Sequence, residues 1–300
     1  MSKTILITGG TGFIGQRLCP ALQSKGYGIT VLSRQKAPDV LALCGRVAAI
    51  QSLDQVKNHQ GFDAVINLAG EGIADKRWSL ERKQALRDSR IALTSELVNA
   101  IRSWKQRPDV LVSGSAVGFY GNQGDEPVTE DTVPQDEFTH QLCRDWELAA
   151  QALNSDGVRV CLSRTGVVAG PGGGFLQRML LPFKLGIGGR LGNGHQYMPW
   201  VHRDDVVNAL AWMLEKSSAQ GPYNVVSPNP VTNREFTKSL AEALHRPAML
   251  PAPAPVLNIA LGEMSRLLLT GQRALPSRLS SEGFVFDYPD LKPALEDAVG

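Results

Sequence analysis

Three hundred residues with 43% apolar and 20% charged side chains supply a large buried core and exclude disorder as the overall state, which needs low hydrophobicity with high net charge. A balance of 31 cations against 29 anions leaves a formal charge of +2, not the basic excess of a nucleic-acid-binding chain. No apolar run reaches the roughly 18 residues of a transmembrane helix, so no membrane partner is expected. The four cysteines, Cys19, Cys44, Cys143 and Cys161, form neither a Cys-x-x-Cys pair nor a zinc spacing, and Met1-Ser2-Lys3 leads straight into an apolar strand rather than a signal peptide. A cytoplasmic protein with reduced thiols is the expectation.

The first strand is expected at residues 4–8. Thr8-Gly9-Gly10-Thr11-Gly12-Phe13-Ile14-Gly15 follows it and opens the first helix. Gly10-x-Gly12-x-x-Gly15 in that position is a dinucleotide fingerprint: the glycines allow a tight turn, close approach of a pyrophosphate, and close packing of helix on strand. A helix N-terminus then faces the phosphates with unpaired N–H groups. Gln16-Arg17 stands where an ATPase loop would carry Lys-Ser or Lys-Thr, which removes that reading. Gly9, Thr11, Gly12, Phe13, Ile14 and Gly15 are therefore cofactor-binding candidates. The second strand, 29–33, ends in Ser33-Arg34, where an NAD site places an acid on the ribose 2′-hydroxyl. A guanidinium suits a 2′-phosphate, so Ser33 and Arg34 favour NADP(H).

Further strands are expected at 47–50, 63–68, 110–113 and 158–163. Amphipathic helices lie between them at 80–104 and 137–155, each with one apolar stripe. Repeated strand–helix–strand units predict an α/β, Rossmann-like, doubly wound parallel sheet. After Gly166 the texture changes to Gly-rich loops at 170–174 and 186–194, a Pro-rich linker at 250–255, a helix near 256–269 and a short tail. The layout expected is a nucleotide-binding domain over 1–165, to which later elements return, and a smaller substrate lobe over 166–300 that includes a C-terminal domain at 250–299.

The glycine loop, Asn67-Leu68-Ala69-Gly70-Glu71, Ser113-Gly114-Ser115-Ala116-Val117-Gly118-Phe119-Tyr120-Gly121 and Trp200-Val201-His202-Arg203-Asp204-Asp205-Val206, in that order, resemble the extended short-chain dehydrogenase/reductases of the nucleotide-sugar epimerase/dehydratase superfamily. Lys76-Arg77-Trp78, Cys143-Arg144-Asp145-Trp146-Glu147 and Gly271-Gln272-Arg273-Ala274-Leu275-Pro276 narrow the resemblance to its atypical epimerase-like subgroup, which has its own C-terminal domain. The resemblance implies NADP(H), with further cofactor contacts from Leu68, Ala69, Gly70, Glu71 and Arg164. It also implies a serine after the fifth strand and a Tyr-x-x-x-Lys on the next helix for proton transfer. A homodimer through the helices at 80–104 and 137–155 is a further option in that superfamily.

The Tyr-x-x-x-Lys is not where the resemblance needs it. Tyr288-Pro289-Asp290-Leu291-Lys292 lies near the C-terminus with a proline inside it and reads as chance. On the expected helix one register offers Thr139 and Cys143, the next His140 and Arg144. Two readings follow. In the first, the protein is an NADP(H)-dependent oxidoreductase or epimerase acting on a small polar molecule such as a sugar nucleotide. His140 is then acid/base, Arg144 replaces the lysine, and Ser115 orients the reacting oxygen; Ser113, Ala116 and Tyr120 compete for these places. In the second, it is a non-catalytic NADP(H)-binding sensor. Lys76, Arg77, His195, Tyr197, Trp200 and His202 would make a basic-aromatic cleft if they converge. No Gly-x-Ser-x-Gly elbow surrounds Ser113 or Ser115, and the histidines do not sit at metal-ligand spacing.

Overall fold

The computed structural model describes residues 3–300. Its main sheet has seven strands: β1 (Thr4–Thr8), β2 (Gly28–Leu32), β3 (Ala48–Ile50), β4 (Ala64–Asn67), β5 (Val110–Ala116), β6 (Arg159–Thr165) and β7 (Gly221–Val225). They lie in the order β7-β6-β5-β4-β1-β2-β3, and every neighbouring pair is parallel. The short apolar runs of the sequence follow from this arrangement, because a parallel sheet is covered on both faces. Ile5 and Ile7 pack with Leu18 and Leu22 of the helix Gly15–Ser24 and with Val206 and Leu210 of the helix Arg203–Glu215. Leu6, on the opposite face, packs with Leu97 and Ile101 of the helix Leu93–Ser103 and with Leu153.

Six of the strands are those the sequence leads one to expect, with β5 and β6 running on to Ala116 and Thr165. The seventh, β7, comes from beyond residue 165 and pairs along β6, from Gly221 opposite Cys161 to Val225 opposite Thr165. The helix Arg203–Glu215 also packs into the first core, so the sheet domain is completed by the second half of the chain. The remaining elements form a lobe with its own core: Leu176, Phe183, Trp200, Phe236, Leu240 and Leu295 are all buried together. Its helix Asn233–Ala243 starts at a capping box, in which Thr232 caps the backbone and Glu235 reaches back.

The expected single helix at 80–104 is interrupted. Leu80–Arg87 passes through a π-helical turn, Asp88–Ala92, into Leu93–Ser103. The linker bridges Leu191 to Ala252 and turns helical at Ala254, and the expected short tail holds the helices Ser277–Ser281 and Leu291–Val299. Between them and the linker, Arg273–Ala274 pairs in parallel with Pro127–Val128, which ties the C-terminal segment to the loop after β5. Among the described residues no helix is long and apolar enough to cross a membrane.

Candidate functional site

The chain winds from β1 out to β3 on one side, then crosses to β4 on the other side of β1. That reversal opens a crevice past the carboxyl ends of β1 and β4, the place where open α/β sheets bind ligands. A groove of about 890 Å³ lies there, lined by Gly9, Thr11 and Gly12 after β1 and by Leu68, Ala69, Gly70 and Glu71 after β4. Ser33 and Arg34 at the end of β2 line its far part. The larger hollow of about 1120 Å³, between Arg190, Arg234, Lys238 and Lys292, touches none of the glycine loop. The sheet topology therefore decides in favour of the groove.

The glycines divide their work. Gly9 has φ +70°, and a Cβ there would lie 2.6 Å from the Leu68 carbonyl carbon. At Gly12 a Cβ would meet only the Gly9 oxygen, at 3.2 Å, and would otherwise occupy the groove. Gly15 does not line the groove: a Cβ would sit 2.4 Å from the Gly10 oxygen, so this glycine lets the helix close onto the loop. Ile14 packs against the core below, and the Phe13 ring packs under Gly173, with the Arg203 guanidinium 4.9 Å from its centre. The side chains of Phe13 and Ile14 are thus turned to packing.

A buried polar chain fixes the floor. Thr8 donates to Asn67 Oδ1 at 2.6 Å, Asn67 donates to Thr94 at 2.8 Å, and the Trp146 indole donates to the same Thr94 oxygen at 3.1 Å. The backbone after β4 is held by the π turn. Glu71 N–H donates to Ser89 at 3.2 Å, and the Arg90 guanidinium donates to the Glu71 carbonyl at 2.8 Å. Burial lowers the Arg90 pKa, with Arg82 close by, while Cys143 and Glu71 act the other way. The Glu71 carboxylate is ion-paired with Arg82, itself buried. Arg90 was not legible in the sequence, because nothing in it marks a π turn. Asp54 and Lys57, which also line the groove, lie within and just after a Ser52/Gln55 capping box that the sequence does carry.

The expected catalytic residues do not meet in a cleft. Ser115 is buried and donates to Glu147 Oε1 at 2.6 Å. His140 is buried with Nδ1 2.7 Å from the Phe119 carbonyl oxygen, its ring against the Phe119 ring. Arg164 does not reach the groove either. Its Nε and one terminal nitrogen each donate to Glu147 at 2.9 Å, and the other terminal nitrogen donates to Tyr120 at 2.9 Å and to the Glu130 carbonyl at 3.2 Å. Tyr120 in turn donates to Asn224 on β7 at 2.6 Å, and burial pushes its phenol up to about 12. Ser115, Glu147, Arg164, Tyr120 and Asn224 form one internal network joining β5, β6 and β7.

Of the competing residues, Ala116, Thr139 and Cys143 line a second cavity of about 680 Å³, whereas Arg144, exposed and paired with Asp145 at 2.8 Å, lines neither this cavity nor the groove. Gly72, one residue past the Glu71 of the groove, lies on the cavity wall, so the two spaces adjoin. The helix Phe138–Gln151 that carries Thr139 and Cys143 contains neither tyrosine nor lysine. Burial pushes the Cys143 thiol up to about 12, so it carries no thiolate near neutrality. The basic-aromatic cleft does not form. Of its six members only Tyr197 lines this cavity. Trp200 is core, His202 is buried against Asp297 and the Tyr288 ring, and His195 stands exposed beside Arg234. Tyr288 belongs to that tail contact and not to the groove.

A model of the NAD dependent epimerase/dehydratase family matches residues 5–226, and a domain of unknown function (DUF1731) matches residues 252–298. The chain belongs to the NAD dependent epimerase/dehydratase family. Its relatives in the family include the epimerase family protein YfhF of Bacillus subtilis, 38% identical over 303 residues that cover 98% of this chain and 97% of the relative. The epimerase family protein Mb2239 of Mycobacterium bovis is 39% identical over 295 residues, covering 98% and 97%. The crystal structure of the human epimerase family protein SDR39U1 (isoform 2) with NADPH superposes with a TM-score of 0.90, at 34% identity over 98% of each chain. MoeE5 in complex with UDP-glucose and NAD shares the fold, with a TM-score of 0.77 at 22% identity over 99% of this chain and 97% of MoeE5.

Proposed function

We propose that the chain binds NADP(H) in the groove and acts as an NADP(H)-dependent, epimerase-like oxidoreductase on a small molecule held in the adjoining cavity. The observation that carries this is the make-up of the groove: Gly9 and Gly12 leave room at the end of β1, Leu68–Glu71 form the opposite wall, and Arg34 stands exposed at the end of β2. The residues fit the cofactor. A helix N-terminus faces the pyrophosphate position, and Ser33 and Arg34 can hold a 2′-phosphate where an NAD site has an acid. NADP(H) supplies hydride chemistry when bound. The solved human relative at 34% identity with NADPH supports the same choice.

The test is a calorimetric titration. NADP(H) should bind at least ten-fold more tightly than NAD(H), about 1.4 kcal/mol, and Arg34→Ala should remove most of that preference. Equal affinities in the unaltered protein would sink the assignment. One observation favours a second reading, a non-catalytic NADP(H) sensor: the corner beside the groove presents Ala116, Thr139 and Cys143, with no phenol–ammonium pair. Turnover of bound NADPH with any carbonyl compound decides against the sensor.

A further inference from the structure

The second cavity carries little free charge on a mostly apolar surface. Its walls come from the loop after β4, the helix Phe138–Gln151, the helix Gly174–Lys184 and the segment around residues 263–272. Ile73, Trp78, Val117, Phe138, Phe175 and Leu268 present apolar surface to it, and the Trp78 and Phe138 rings meet edge to face at 4.9 Å. The charged residues on the walls are Asp75, Glu137 and Glu263 against Arg178 and Arg266, three anions to two cations, a formal balance of −1. Each is already engaged. Asp75 pairs with Arg178, Glu137 with Arg266, and Glu263 with Lys83 at 2.6 Å. A diphosphate needs unspent guanidinium or ammonium groups, because a charge moved out of water without a partner is costly.

We propose that this cavity takes an uncharged, largely apolar carbonyl compound and not a nucleotide sugar. The inference rests on reading the adjoining groove as the NADP(H) site, which makes this cavity the seat of the reacting molecule. Its size lies within the range of small-molecule sites. Uncharged polar side chains interrupt the apolar walls, and of these Gln196, Asn233 and Gln272 already donate to Leu191 and Leu268 carbonyls, to the Met198 sulfur and to the Gly121 carbonyl. Thr139 supplies a neutral hydroxyl for a carbonyl oxygen; its Oγ1 has only a long 3.4 Å contact with Glu137. Beside it Ala116 and the buried Cys143 add no charge. Leu267 and Leu268 add apolar side chains to the cavity wall from a segment that begins at Gly262, where φ is +60°.

Binding of 2-methyl-1,4-naphthoquinone and of UDP-glucose to the full-length protein, each with and without NADP(H), tests this by calorimetry. The naphthoquinone should bind and UDP-glucose should not. Leu268→Arg should weaken naphthoquinone at least ten-fold and leave NADP(H) affinity within two-fold. Trp78→Ala provides the same comparison should the arginine variant fail to fold. Absence of naphthoquinone binding, UDP-glucose binding of equal or greater strength, or naphthoquinone affinity unchanged in both variants would each overturn the proposal. The NADP(H) titration reads the groove separately: naphthoquinone binding retained in a protein that binds no NADP(H) would defeat the cofactor reading and leave the cavity assignment standing.

Discussion

Arg164 and Glu147 have side chains 5% exposed each, joined by two parallel bonds of 2.9 Å. Burying two charges is tolerable only while both are present. Glu147→Gln leaves the guanidinium buried without its counter-charge, and stability in urea unfolding should fall by about 3–5 kcal/mol. NADP(H) affinity of the folded variant should hold, because neither residue lines the groove. A variant of normal stability with weakened NADP(H) binding would put Arg164 back among the cofactor contacts. The same residues show what a sequence can and cannot convey. Gly9 and Gly12 are legible because the backbone demands them. Ser115 and Ala116 are adjacent on a strand end, where neighbouring side chains point to opposite sides, and only packing decides which one faces the cavity. Thr139 and His140 pose the same problem on a helix, where one residue is about 100° of rotation.

Parallel strands and the helices that cover them are readable as elements because burial on both faces forces short apolar runs. Two features escape that logic. Strand β7 follows a long excursion through the second lobe, and its segment Gly221–Val225 begins Gly-Pro, which weakens the strand pattern. The π turn Asp88–Ala92 lies in the seven-residue interval between Leu86 and Leu93, which an unbroken α-helix also satisfies. Such turns are often found at functional sites, and this one brings Ser89 and Arg90 against the backbone of Glu71. Arg90→Met should keep the packing on the Trp146 ring, 5.4 Å away, and lose the bond to the Glu71 carbonyl. NADP(H) affinity should drop by roughly ten-fold, about 1.4 kcal/mol, the net size of one charge-assisted hydrogen bond. The thermal midpoint should change little, since a buried cation is removed together with its bonds. Titration calorimetry beside a melting curve separates the two effects; a large fall in the midpoint with unchanged affinity would make the turn a stability element alone.

The two lobes are bound together by the C-terminal tail, which wraps back onto the helix Arg203–Glu215. Asp205, fully buried on that helix, accepts from Asp287 N–H at 2.7 Å and Tyr288 N–H at 3.1 Å. Asn208 donates to Asp287 at 2.8 Å, and His202 meets Asp297 at 3.1 Å with the Tyr288 ring against it. Burial pushes the Asp205 carboxyl up to about 6, although the two backbone donors act the other way. The unfolded chain releases this proton near pH 4 and the folded chain near pH 6. Between those values the folded state holds more protons, so stability falls as pH rises from about 4 to 6 and is flat above. Asp204, held low by Arg17 at 2.8 Å, contributes in the opposite sense, with stability present above about pH 4 and lost in more acid solution. Burial keeps the His202 pKa below its ordinary value, so its contribution is present above about pH 6.5 and lost as pH falls. Asp205→Asn isolates one of these groups. The wild-type advantage over this variant in thermal melts should shrink from pH 4 to pH 6 and then stay constant. An advantage that grows over the same interval would mean that the tail is held by a carboxylate and not by a carboxylic acid.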